Sequence, residues 1–209
     1  MVSSWAQALT NPADQLQMQL GQLQSWSTDF NQTVTDANGE VLQTVKGRLD
    51  LQKPLQFYWQ TQNPFPQVIV SNGTKLWIYD QDLEQVVIKA MSADVAPLPA
   101  ALLSGQMKDI EAHYKVTQKV AADKTPMRTI FTIEPKTVDG AHDFSQIKVQ
   151  FEDNLLTSLT LLDALEQSTV LQFSNQSLNK KFAKTRFDFK TPKGVDVIDE
   201  QAKLSNAAN

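Results

Sequence analysis

Cysteine is absent from this chain of 209 residues, and histidine occurs only twice, as His113 and His142. Without cysteine the chain cannot form a disulfide, a thiolate zinc site or a cysteine nucleophile. Neither histidine has a second histidine at metal-ligand spacing, and no G-x-S-x-G motif is present. Asp80, Asp82 and Glu84 alternate as in a cation loop, but the glycine and terminal glutamate of such a loop are missing, which favours a solvated turn. The sequence therefore predicts no metal site, no catalytic residue and no cofactor, and a protein that is not an enzyme.

Long apolar segments and an excess of positive charge are missing as well. No segment approaches the roughly 20 apolar residues that span a bilayer, and residues 1–10 lack the basic start and apolar stretch of a signal peptide. We therefore expect no stable membrane insertion, and we expect an exported protein to have lost its signal peptide. The net charge is −4, with Lys and Arg mixed among Asp and Glu. This mixture offers no basic stripe of the kind that nucleic acids require.

The first regular pattern is that of a helix. Asn11 followed by Pro12 is typical of an N-cap and of a proline at the first helical position. Leu16, Leu20 and Leu23 then recur at spacings of four and three, so they share one face. The pattern predicts an amphipathic helix over about residues 11–25 that lies on another part of the protein.

From Trp26 onward the apolar residues alternate, which predicts strands. Asn38-Gly39 and Asn72-Gly73 supply tight turns between antiparallel neighbours. The signals continue through the chain and predict about 10 to 11 strands, the last of them at Phe182 to Phe189. We expect a mainly β protein in which residues 1–209 form one domain around a single curved antiparallel sheet.

Residues 93–105 interrupt this alternation. The segment contains prolines and small residues and ends in Leu102-Leu103-Ser104-Gly105, which is typical of a short helix with a glycine stop. A wide curved sheet has a concave apolar face that such helices can fill. Two interpretations stay open: the helices complete an ordinary core, or they form a displaceable cover over a ligand cavity.

Residues 71–86, SNGTKLWIYDQDLEQV, resemble the motif S-D-G-x-x-L-W-x-Y followed by E-Q in the LolA family of outer-membrane lipoprotein carriers. Three further segments agree in order: Phe30-Asn31-Gln32, KPLQFYW at residues 53–59 for the family's R-P-x-x-F-x-W, and PKGVDVI at residues 192–198. The resemblance covers nearly the whole chain. It implies an unclosed, half β barrel with a helical lid over the concave face, and a location in the periplasm.

The resemblance also implies a function. Such a carrier accepts acylated lipoproteins from an ATP-driven inner-membrane transporter, LolCDE, and delivers them to the outer-membrane receptor LolB. We expect a monomer that shields the acyl chains in an apolar cavity. At about 0.8 kcal/mol per buried CH₂, moving an acyl chain of about 16 carbons into water costs on the order of 12 kcal/mol. This cost explains the need for a carrier.

Several apolar residues are candidates for the ligand-binding cavity. The resemblance places two residues of the third strand and one of the next strand in the cavity, and two leucines at the end of the lid helix, whose family T-P start is represented by Leu98-Pro99. With residues of the first helix and the first two strands, the predicted set is Leu20, Trp26, Leu49, Phe57, Trp59, Ile69, Leu102 and Leu103. Ordinary core packing is the alternative interpretation for all of them.

Lys53 stands where the family has an arginine that is said to latch the lid through hydrogen bonds to backbone carbonyls. Lysine keeps the charge and has three donors, but it lacks the planar fork of arginine. We therefore expect a lid latch that is looser or differently aimed. A solvated lysine at the end of a strand is the alternative.

Other functional classes stay open at this point. One is an outer-membrane receptor like LolB that lacks its lipidated cysteine, and another is a different periplasmic lipid-binding protein. A third is a lipid-modifying enzyme, which would turn over a lipid ester. The LWIYDQDLEQV segment and the proline-bearing residues 93–105 favour the carrier.

Overall fold

The computed structural model describes residues 11–62, 64–91, 102–103, 110–121, 125–137 and 144–201. Most of these residues belong to one sheet of twelve strands, flanked by helices α1 (Pro12–Gly21) and α2 (Ile110–His113). The strands are β1 (Ser25–Thr35), β2 (Val41–Gln52), β3 (Gln56–Thr61), β4 (Gln67–Asn72), β5 (Lys75–Asp80), β6 (Gln85–Ala90), β7 (Tyr114–Ala121), β8 (Arg128–Pro135), β9 (Gln146–Glu152), β10 (Leu155–Leu162), β11 (Ser168–Leu178) and β12 (Asp196–Asp199).

The strand order is β12-β6-β5-β4-β3-β2-β1-β11-β10-β9-β8-β7. β12 and β7 are the two edges, and the curved sheet does not close, which confirms the predicted mainly β, unclosed architecture. The described residues contain one strand more than the expected upper count. The expectation of a purely antiparallel sheet is wrong for β12, which pairs with β6 in parallel. The reason is that the chain between β11 and β12 crosses one face of the sheet to reach the edge, and it enters β12 in the same direction as β6.

Helix α1 begins as the sequence predicts and ends earlier. The Asn11 side chain accepts a hydrogen bond from the Ala13 backbone N–H at 3.1 Å, and Pro12 occupies the first turn. The helix ends at Gly21, because the chain must already be extended at Ser25, which pairs with Gln52 in β2. The predicted helix end at residue 25 is therefore wrong by four residues.

The face of the sheet that α1 covers holds the main hydrophobic core, and we call it the concave face. Alternate residues of each strand point into it, as the period of two requires. Leu16 and Leu20 of α1, and Leu23 just after the helix, are at most 5% exposed and pack into the same cluster. The amphipathic helix predicted from their spacing is thus confirmed as part of the core.

The opposite, convex face carries a second apolar layer on β4 to β6. Val70 and Val86 are buried there, and Trp77 and Tyr79 contact the ring of Phe189. The chain after β11 covers this layer. Val70 lies directly opposite Trp77, and Tyr79 lies directly opposite Val86. Residues directly opposite each other in a sheet point to the same side, so these side chains all lie on the convex face.

The strand predicted at Phe182 to Phe189 is wrong. This segment contains a 3₁₀ turn, Lys184–Phe187, that packs on β3 and β4. Its apolar residues alternate because Phe187 and Phe189 both face the convex side of the sheet. No neighbouring backbone ladder is available there, so the alternation reflects burial and not strand pairing. The single-domain organisation of residues 1–209 stays a prediction.

Candidate functional site

Neighbouring strands bring the predicted cavity residues of the sheet together. Leu49 of β2 lies opposite Trp59 of β3, and Trp59 lies opposite Ile69 of β4. Phe57 is two residues from Trp59 and therefore shares its concave face. This alignment of side chains follows from the Asn72-Gly73 turn, which joins β4 to β5, and from the alternation of apolar residues on both sides of that turn.

The predicted residues from helices pack against the same cluster from the side opposite to the sheet. Leu20 comes from α1, and Leu102 and Leu103 are helical and only 1% and 0% exposed. The rest of the predicted lid, including Leu98-Pro99, lies outside the described residues. Seven of the eight predicted residues belong to one buried cluster, and Ile69 packs against it half-buried. The structure therefore brings the predicted set together, and its role in ligand binding stays a prediction.

A hollow of about 480 Å³ lies beside this cluster and is lined by residues of β1 to β5 and of the turns that follow β3 and β5. Its volume lies within the range of small-molecule pockets. Of the predicted residues only Trp59 lines it. Val45, Phe65 and Leu83 were missed, although Val45 shares the parity of Leu49 on β2. The further lining residues are Gln32, Gln43, Thr61, Pro66, Gln67, Asp80 and Asp82.

An aromatic pair lies where the hollow meets the cluster, because both rings belong to the cluster and Trp59 also lines the hollow. The ring centroids of Phe30 and Trp59 are 4.4 Å apart. Gly47 lies directly beneath them: a Cβ atom there would come within 2.2 Å of Phe30 and 2.3 Å of the Gln60 carbonyl oxygen. Only glycine therefore allows the Phe30 ring to lie flat over β2.

Lys53 holds the end of α1 against the β2–β3 turn. Its ammonium donates a hydrogen bond to the Leu20 carbonyl oxygen at 2.7 Å, and its backbone N–H donates to the Gln24 carbonyl oxygen at 2.9 Å. A cation is favoured at this position because the last carbonyls of a helix carry partial negative charge. Burial lowers the pKa of Lys53 below its ordinary value of 10.5.

Polar clusters near the hollow are explained by turn geometry. The Asp80 carboxylate accepts the backbone N–H groups of Asp82 and Leu83 at 3.1 and 3.0 Å, which confirms the solvated turn expected there. Within the described ranges, no group of three acidic, histidine or cysteine side chains could hold a metal ion. His113 is exposed at the end of α2, and His142 lies outside the described residues.

Among the residues that the structure describes, no helix is long and apolar enough to cross a membrane. The site is instead a concave apolar cluster under helical side chains, with a hollow at one end. Its contacts are largely non-directional, so the arrangement suits the reversible shelter of an apolar chain.

Comparisons with known proteins find one matching family and several relatives. The family described as Outer membrane lipoprotein carrier protein LolA matches residues 21–190. An outer-membrane lipoprotein carrier protein from Hahella chejuensis (strain KCTC 2396) is 38% identical over 199 residues, which cover 94% of this chain and 93% of that protein. One from Chromohalobacter salexigens is 35% identical over 195 residues, 93% of this chain and 90% of that protein.

A solved structure supports the fold alone. An uncharacterized conserved protein from Thermus thermophilus superimposes with a TM-score of 0.61 at 10% sequence identity. The match covers 91% of this chain and 100% of that one.

Proposed function

The chain belongs to the family of the outer membrane lipoprotein carrier protein LolA, and on that premise we propose that it is a periplasmic carrier of acylated lipoproteins. The observation that carries the proposal is the burial of Leu20, Phe57, Trp59, Leu102 and Leu103 in one concave cluster beside an open hollow. The proposed carrier acts by binding and performs no chemistry on its cargo.

Acyl chains enter by exchanging places with the protein's own side chains. Leu102 and Leu103 are almost fully buried against the sheet. Moving each into water costs about 1.5 to 3 kcal/mol, whereas one acyl chain of about 16 carbons gains on the order of 12 kcal/mol from burial. Relative to water, the exchange is therefore favourable by about 6 to 9 kcal/mol. The cargo can leave again because a membrane or a receptor shelters the acyl chain equally well. In this proposal Leu102 and Leu103 belong to a movable lid.

Lys53 is proposed as the latch of this cover. Its hydrogen bond to the Leu20 carbonyl oxygen already anchors α1, whose stripe packs on the same cluster. The ammonium is half-buried and donates to a backbone carbonyl oxygen of α1, so a movement of α1 breaks this hydrogen bond.

The proposed partners follow from the family. Acylated lipoproteins are the cargo, the ATP-driven transporter LolCDE supplies them at the inner membrane, and LolB receives them at the outer membrane. We propose a monomeric carrier that needs no cofactor, because the cluster lies within one chain and its contacts are apolar.

A release assay tests the proposal. Inner-membrane vesicles that hold a newly acylated lipoprotein are incubated with the purified chain and ATP, and the supernatant is analysed for a 1:1 complex. Trp59→Glu is expected to abolish release, since it introduces a carboxylate into the hollow. Gln60→Glu is the matched control, because Gln60 follows on the same strand and faces the opposite side.

The outcomes separate the functional classes. Release by the wild-type chain and by Gln60→Glu, but not by folded Trp59→Glu, supports a carrier. Absence of any lipoprotein in the supernatant would refute it. Turnover of a lipid ester would instead indicate an enzyme.

A further inference from the structure

Positive charge is concentrated in one stretch of the chain. Residues 180–193, KKFAKTRFDFKTPK, contain six of the 19 Lys and Arg residues and one acidic residue, Asp188, in a chain whose net charge is −4. We call this segment the basic strip. The even mixture of charges expected from the sequence is wrong here, because the overall composition hides a local excess.

The strip is held against the convex face of the sheet. At its start the Ser25 hydroxyl donates to the Lys180 carbonyl oxygen at 2.5 Å. Phe187 is 3% exposed, and the Phe189 ring lies 6.3 Å from Trp77 and 6.0 Å from Tyr79 between centroids. The aromatic side chains thus anchor the strip and leave the lysines on the outside.

Arg186 serves as an internal anchor of the strip. Its guanidinium donates to the buried Asp50 carboxylate through Nε and Nη2, both at 2.6 Å. The same guanidinium lies 3.7 Å from the centroid of the Tyr58 ring. The Ser27 hydroxyl donates to the other Asp50 oxygen at 2.6 Å. The charge of Arg186 is therefore used within the protein.

The lysines of the strip are used less within the protein: the Lys180 Nζ lies 5.8 Å from the centroid of the Phe182 ring, which belongs to the strip itself. All five are exposed, and none forms an ion pair with another described residue. They are Lys180, Lys181, Lys184, Lys190 and Lys193. Like charges placed close together on a rigid surface repel one another. An anionic partner relieves this repulsion and should therefore bind favourably.

We propose that the basic strip is a docking surface for an anionic phospholipid bilayer, whose phosphate groups contact the exposed lysines. Protein interfaces are depleted in lysine and depend on buried aromatic or arginine anchors, whereas here Phe187 and Arg186 face inward. Exposed ammonium groups suit a diffuse layer of phosphates. The choice of lipid over nucleic acid rests on the proposed function, which places the chain between two membranes.

A shallow cavity beside the strip offers space for a headgroup. It measures about 470 Å³ and is lined by Lys180, Lys181, Thr185 and Arg186, with Asp188 at one side. Asp50 also borders the cavity, and its charge is balanced by Arg186. The surroundings of the cavity therefore remain net positive.

Vesicle co-sedimentation tests the proposal. The full chain is mixed with vesicles of phosphatidylcholine, with or without a minority of phosphatidylglycerol, at low and high ionic strength. The test variant is Lys180→Gln/Lys181→Gln/Lys184→Gln. The matched control is Lys115→Gln/Lys119→Gln/Lys148→Gln, which removes three exposed lysines from β7 and β9 in the other half of the sheet.

We expect salt-sensitive binding of the wild-type chain to the anionic vesicles only. The strip variant should bind on the order of 100-fold more weakly, and the control variant close to wild type. Both variants should keep the wild-type unfolding midpoint and bind a fluorescent fatty acid normally, which separates this test from that of the carrier function.

Three results would overturn the proposal. They are wild-type binding to neutral vesicles as tight as to anionic ones, unchanged binding by the strip variant, and no binding to anionic vesicles at all. Equal affinity for duplex DNA at the same phosphate concentration would contradict the assignment to a bilayer.

Discussion

Gly47 shows how a single residue shapes the site. It lies on β2 beneath the Phe30 ring, where an added Cβ would meet both Phe30 and the Gln60 backbone within 2.3 Å. We expect Gly47→Ala to lower the free energy of unfolding by about 1 to 3 kcal/mol, because either the ring or the strand must shift. Urea unfolding measures this change.

Gly21 provides the control for that substitution. Nothing lies within 4 Å of a Cβ added there, and the residue ends helix α1. Gly21→Ala should therefore leave stability unchanged or raise it by about 0.5 to 1 kcal/mol. Equal losses at both glycines would contradict the packing described for Phe30.

Phe57 separates a ligand site from an ordinary core. It is 1% exposed on the concave face. We expect Phe57→Glu to fold but to lose binding of a fluorescent fatty acid, because an unpaired carboxylate in the cluster costs several kcal/mol or forces local opening. Circular dichroism and fluorescence titration measure the two effects.

Gln56→Glu is the matched variant for Phe57→Glu. Gln56 precedes Phe57 on β3 and is half-buried. The same charge at this position should leave fatty-acid binding intact. Normal binding by a folded Phe57→Glu protein would remove Phe57 from the ligand site.

At the residue level, the alternation of apolar and polar residues predicted more of the site than the chemical character of single residues did. Phe57 and Trp59 could be placed on the concave face because they alternate with polar residues. Phe65 could not be placed in the hollow, because it follows a strand in an Asn-Pro-Phe-Pro turn whose path depends on neighbouring turns. The Lys53 contact with Leu20 could not be predicted from the sequence either, since it joins residues 33 positions apart.

The end of α1 depends on Lys53. Lys53→Leu removes the 2.7 Å hydrogen bond to Leu20 but also the cost of a half-buried ammonium. We expect the free energy of unfolding to change by about 1 kcal/mol or less, while release and delivery of lipoprotein change clearly. Lys75→Leu, an exposed lysine on β5, is the control. Unchanged transfer by Lys53→Leu would reject the latch.

Lys53 should also give a pH dependence. Burial lowers its pKa below 10.5, so between the folded pKa and 10.5 the unfolded chain binds more protons than the folded one. The stability of the wild type relative to Lys53→Leu should therefore rise as the pH increases from about 8 to about 10. Urea unfolding at both pH values measures the difference, and a falling difference would contradict the burial of Lys53.

The segment after β11 depends on the Asp50–Arg186 pair. Asp50 is 3% exposed and both bonds from Arg186 are 2.6 Å long. We expect Arg186→Ala to cost about 3 kcal/mol, because it leaves a buried carboxylate with less compensation. Adding Asp50→Asn should recover part of this loss. A double variant no more stable than Arg186→Ala would show that the charge of Asp50 is not the cause.

Elements with local signals were the predictable ones. The Asn-Gly turns, the helix stripe and the alternation of β1 to β6 depend on neighbours in sequence. The segment at Phe182 to Phe189 has the same alternation but lies over a face of the sheet and not beside an edge. Sequence periodicity reports which side chains are buried, and it does not report whether a strand is available for pairing.

The whole molecule is an open sheet with two different faces. The concave face holds the apolar cluster under α1, and the convex face carries the chain between β11 and β12. The unclosed architecture was predictable because the resemblance covers nearly the whole chain. The parallel pairing of β12 was not, since it depends on a long return across the convex face.

The central claim is that the concave cluster receives the acyl chain of a lipoprotein. The most direct test is photo-cross-linking with an acylated peptide that carries a photoreactive group at the end of its acyl chain, followed by mass spectrometry of the labelled protein. We expect labels at Phe57, Trp59 and Ile69 on the concave face. Labels on Trp77 and Tyr79 of the convex face instead, or labelling that excess unlabelled acylated peptide does not suppress, would contradict it.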